Sequence, residues 1–107
     1  MIKITVYKNS DKIQGFTCIG HAEFGEYGED IVCSAVSVLV LNTINSIEAF
    51  TDDRIQVNTE EEQGLIECKF LSEPESATIL LMNSMILGLQ GILDDYQDYL
   101  ELKFEEV

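Results

Sequence analysis

Basic residues are scarce in this chain. Six Lys and Arg stand against twenty Asp and Glu, for a net charge of −14 and a pI near 4.1. Nucleic-acid binding needs a field of Lys and Arg to meet phosphate, so the balance argues against direct nucleic-acid binding. It argues against an anionic membrane surface on the same ground. The start of the chain has no apolar leader behind a basic tip: Met1 to Tyr7 alternate apolar and polar residues as a strand does. The longest apolar stretch, Ile31 to Leu41, is broken by serines and falls short of the roughly 20 residues that span a bilayer. A cytoplasmic location with no membrane partner is the expectation.

Other absences narrow the chemistry. Three cysteines (Cys18, Cys33 and Cys68) are an odd set, poor for a disulfide framework and natural as reduced thiols. No C-x-x-C pair is present, which weighs against a structural zinc knuckle and a dithiol redox centre. There is no P-loop, no dinucleotide fingerprint and no G-x-S-x-G. The acids Glu60-Glu61-Glu62 and Asp94-Asp95 lack the order of a calcium loop and read as a solvated turn and a helix end. No metal or other cofactor is expected.

What remains is a small chain of 107 residues, read as one domain over 1–107 with a modest core. Ile2, Ile4 and Val6 mark a first strand, and Ile13 to Ile19 its return after a turn at Asn9-Ser10-Asp11. Residues 22–29 hold Gly25 and Gly28 and show no periodicity, so a mobile loop is expected there. Asp30 reads as the N-cap of a helix to about Phe50. Two strands follow, around Ile55 and Val57 and around Ile66, Cys68 and Phe70. Ser72-Glu73-Pro74-Glu75 has the form of a capping box opening a second helix through Tyr96. Gly88 and Gly91 in that helix suit close approach of another backbone. Leu100, Leu102 and Phe104 alternate in a last strand. The fold class is α+β: a ββαββαβ sandwich of a mostly antiparallel sheet with two apolar helices. Helices this apolar exceed what one thin sheet covers, and a homodimer is expected.

The chemistry concentrates around the loop. With Asp30 as N-cap, Cys33 lies in the first helical turn, where free N–H groups and the helix dipole favour a thiolate. His21 is the single histidine of the chain, twelve residues earlier at a strand end. A loop joining those ends brings imidazole to thiol, a Cys–His pair, and the N–H of Cys33 then offers itself to an oxyanion. The acids Glu23, Glu26, Glu29 and Asp30 oppose thiolate formation while favouring an imidazolium. Cysteine is also a common buried hydrophobe, so core packing of Cys33 stays open. Cys18, His21 and Cys33 as zinc ligands form a weaker third option.

The run Gly20-His21-Ala22, Gly25, Gly28 and Asp30-Ile31-Val32-Cys33-Ser34-Ala35-Val36-Ser37 resembles the signature of the ribosomal-processing cysteine protease family Prp. The resemblance implies a catalytic dyad of His21 and Cys33. It implies a homodimer whose loop closes over the substrate. It also implies removal of the N-terminal extension of a large-subunit ribosomal protein, number twenty-seven, after an aromatic-containing motif. Gly20, Gly25, Gly28 and Asp30 then serve as supporting residues, Asp30 as helix cap or as orienter of His21. Ser34 and Ser37, read as facing the same side of the helix as Cys33, either shape the site or are there because they are small. A basic ribosomal protein as partner suits the acidity of the chain. The other class in view is a non-catalytic acidic dimer that binds a basic protein.

Overall fold

The computed structural model describes residues 1–20 and 27–107, and the side chains among these except at 27–30. Alternating apolar residues build strand β1 (Ile2–Asn9), which turns back into β2 (Lys12–Ile19). Ser10 in that turn takes φ 58, the left-handed conformation a tight hairpin demands. Helix α1 (Tyr27–Phe50), β3 (Ile55–Glu60), β4 (Leu65–Phe70), α2 (Ser76–Asp95) and β5 (Leu100–Glu106) complete the expected ββαββαβ order.

The strands form one sheet in the order β3-β4-β2-β1-β5, and only the β1–β5 pair is parallel. Register aligns the apolar residues across it. Ile4 stands opposite Cys18, which stands opposite Ile66; Val6 meets Phe16, and Phe16 meets Cys68. Ile4, Val6, Phe16, Cys18 and Cys68 are buried on one face, beneath both helices. The opposite face carries Tyr7, Thr17, Glu67 and Lys69, with Tyr7 Oη and Thr17 Oγ1 sharing a hydrogen bond of 3.3 Å. The architecture is therefore two layers, helices on one side of the sheet.

Each helix buries a stripe. Val32, Val36, Val40, Ile44 and Ile47 recur at three- and four-residue spacing on α1, as do Thr78, Met82, Met85, Ile86 and Leu89 on α2. Full burial of one such apolar side chain is worth about 1.5–3 kcal/mol, so the β-branched run of α1 stays helical against its local preference. By length and composition both helices qualify as membrane spans, at mean hydropathy 1.6, although no unbroken apolar run does. The sheet takes only part of that surface: Val38, Leu80 and Leu87 remain about 70% exposed.

Several expectations need correction. Asp30 is not the N-cap of α1, because the helix already begins at Tyr27 and Asp30 lies inside it. The loop expected at 22–29 therefore loses residues 27–29, Gly28 included, to the helix. Its remainder, with Gly25, lies outside the described residues, as does His21. Ser72 and Glu75 form no capping box: α2 starts at Ser76, and its N-cap Glu75 makes no side-chain cap. Asp53 does the anchoring instead, its Oδ2 accepting the Glu75 N–H at 2.8 Å. Gly88 does admit a neighbour, the Leu39 side chain of α1, which a Cβ would overlap; Gly91 faces open space.

Candidate active site

Cys33 follows from α1's placement over the strands. It lies half-buried beside the stripe Val32–Val36, close to the core yet reachable from outside. One helical turn on, Ser37 shares its side of the helix, and Leu41 follows after another. These three line a cavity of about 360 Å³ whose other walls come from the strands. Strand β2 contributes Cys18, and Gly20 follows just beyond its end. The end of β3 and the turn into β4 contribute Glu60 and Glu61, with Leu65 and Ile66 beyond. The cavity thus has an apolar floor, an acidic rim and a thiol in its wall.

Ser34 is elsewhere. It is exposed and borders an outer groove with Ala35, Val38 and Asn42. Adjacent helical residues point about 100° apart, which is why only Ser37 accompanies Cys33. The helix start also changes the electrostatics expected of Cys33. Six residues beyond Tyr27 it lies past the first turn, where the dipole's influence fades and its N–H is directed to the carbonyl of residue 29. That N–H is not a spare donor for an oxyanion.

The three thiols differ. Burial raises Cys18 to about 11, with the nearby charge of Cys33 adding to the rise. Burial also raises Cys68 to about 11, helped by Glu48. Among the described residues no three His, Cys, Asp or Glu converge as a metal-holding group.

Gly20 holds the chain where it leaves β2. At φ +110 it adopts a conformation closed to most side chains, and a Cβ would overlap the Met1 carbonyl oxygen. Its N–H donates to the Gln63 carbonyl at 3.0 Å. The residue directly before His21 is therefore fixed in the wall of the cavity that holds Cys33. Sequence reasoning found Cys33, Ser37 and Gly20. It missed the rim of Glu60 and Glu61, read as a mere turn, because only the tertiary fold sets that turn beside α1.

A half-buried thiol at a cavity has the access that a nucleophilic cysteine needs. Residues 1–101 match the family model of cysteine protease Prp, and the chain belongs to that family. The ribosomal processing cysteine protease Prp of Bacillus subtilis is 32% identical over 107 residues, covering 95% of this chain and 96% of its own. Two crystal structures of an essential ribosomal processing protease Prp from S. aureus, each 26% identical, superpose on 98% of this chain and 100% of theirs. The one with a substrate peptide gives a TM-score of 0.91, and the one with a covalently linked product peptide 0.87. The family decides between the two classes left open above: this is a cysteine protease, not a non-catalytic binding domain.

Proposed function

We propose that the protein is a ribosomal-processing endopeptidase that removes the N-terminal extension of large-subunit ribosomal protein twenty-seven in the cytoplasm, with His21 and Cys33 as its dyad. Cys33 Sγ attacks the scissile carbonyl, and His21 takes the thiol proton and hands it to the leaving amine. Water, deprotonated by the same imidazole, then hydrolyses the acyl-enzyme. The observation that carries this reading is the common cavity of Cys33 and Gly20, which brings the chain to the thiol one residue before the histidine. The covalently linked product peptide in the S. aureus relative supports an enzyme that bonds to its peptide.

The apolar floor formed by Leu41, Leu65 and Ile66 suits an apolar side chain of the extension. The acidic rim and the net charge of −14 favour capture of a basic protein. The active unit is a homodimer, for which the exposed Val38, Leu80 and Leu87 of the packed helix pair supply apolar surface. The test is incubation with the host's unprocessed ribosomal protein, followed by mass measurement of both products. Cleavage by the parent and none by Cys33→Ala is expected. An uncut substrate with the well-folded parent overturns the substrate assignment.

A further inference from the structure

The mechanism leaves two buried thiols, Cys18 and Cys68, without a use. Cys18, 5% exposed on β2, lines the same cavity as Cys33. We infer that Cys18 is a resolving thiol: when a peroxide oxidises Cys33, the two cysteines close into a disulfide that stops the protease reversibly and guards Cys33 from irreversible oxidation.

The two thiols are unequal in the way such a pair requires. Cys33 is half-buried at the cavity and meets a small oxidant first, whereas Cys18 is shut in between sheet and helix. Cys18 is near enough that the charge of Cys33 acts on it, next after burial itself. Cys68 is the poorer partner: the charge that acts on it is Glu48, which α1 carries about 22 Å of helical rise away from Cys33.

The steps balance. Cys33 attacks one oxygen of the peroxide, giving a sulfenic acid and releasing the other oxygen as water. Cys18 sulfur then attacks the Cys33 sulfur, and hydroxide leaves with the Cys18 proton as a second water. Two thiols are oxidised by two electrons and one hydrogen peroxide is reduced to two waters. Burial slows Cys18 as a nucleophile, and its fixed place beside the sulfenic acid offsets this. The bond requires Cα atoms within about 7 Å, an approach that a linked peptide would demonstrate.

The inference takes from the proposed function only that Cys33 is open to small molecules, so its readout is chemical. The full chain is treated with hydrogen peroxide at near-stoichiometric dose, and intact mass and non-reducing peptide maps are recorded before and after dithiothreitol. Loss of two hydrogen masses, a linked Cys18–Cys33 peptide and return of peptidase activity on reduction are expected. With peroxide in excess, Cys18→Ala should gain two or three oxygens at Cys33 and not recover on dithiothreitol, while the parent still recovers. Oxygen added to Cys33 of the parent without a link, a link to Cys68, or a link between two chains overturns the inference. A Cys18–Cys33 bond in a protein that cuts no peptide keeps the inference and refutes the proposed dyad.

Discussion

Gly20 donates its backbone N–H to the carbonyl of Gln63 at 3.0 Å, tying the end of β2 to the turn that joins β3 to β4. That single bond connects the residue before His21 with the turn whose Glu60 and Glu61 rim the cavity.

Replacing that glycine tests the link. In Gly20→Ala the new Cβ meets the Met1 carbonyl oxygen at a φ that costs alanine about 1–3 kcal/mol. Turnover should fall at least about tenfold, while iodoacetamide still reaches Cys33 at the parental rate. Unchanged turnover would mean that the backbone before His21 tolerates displacement.

The proposed nucleophile gives the sharpest expectation. Cys33→Ala and Cys33→Ser should abolish cleavage and preserve the far-ultraviolet circular dichroism, since a half-buried small residue contributes little to the core. Residual cleavage above background in a folded Cys33→Ala protein would assign the chemistry to another group.

Thiol reactivity should separate by pH. Near neutrality iodoacetamide should modify Cys33 alone, with Cys18 and Cys68 modified only on unfolding. Both buried thiols ionise near 9 when unfolded and at about 11 when folded. Their contribution to stability is therefore fully present below pH 9 and is lost between 9 and 11, because the unfolded chain gives up its protons first. Urea midpoints measured across that range should fall, and fall less for Cys68→Val.

Asp53 anchors the entry to α2 through the Glu75 N–H, so Asp53→Ala should lower stability by about 1 kcal/mol in urea titration. Cleavage should persist, because this contact lies away from the residues that line the Cys33 cavity. A parental midpoint would show that the connection needs no such anchor.

Sedimentation reads the proposed dimer directly. The parent should run as a dimer at micromolar concentration, and Val38→Lys combined with Leu87→Lys should run as a monomer. A monomeric parent removes the dimer from the proposed function.

Periodicity alone determined the seven elements of this protein and their order, because burial of Ile2, Ile4 and Val6, or of Val32, Val36 and Val40, leaves a period in the sequence. The motif from Gly20 to Ser37 holds three residues that line one cavity, Gly20, Cys33 and Ser37, and they lie close along the chain. Helix ends were less legible. Asp30 and Ser72 carry the side chains of caps, yet α1 begins at Tyr27 and α2 at Ser76. Only the tertiary structure decided that β5 runs parallel beside β1 and that Cys18 lies with Cys33. It alone brought Glu60 and Glu61 to the rim of that cavity. These are contacts between residues distant in sequence, set by how the sheet is ordered and where α1 crosses it, and no local pattern in the chain encodes them.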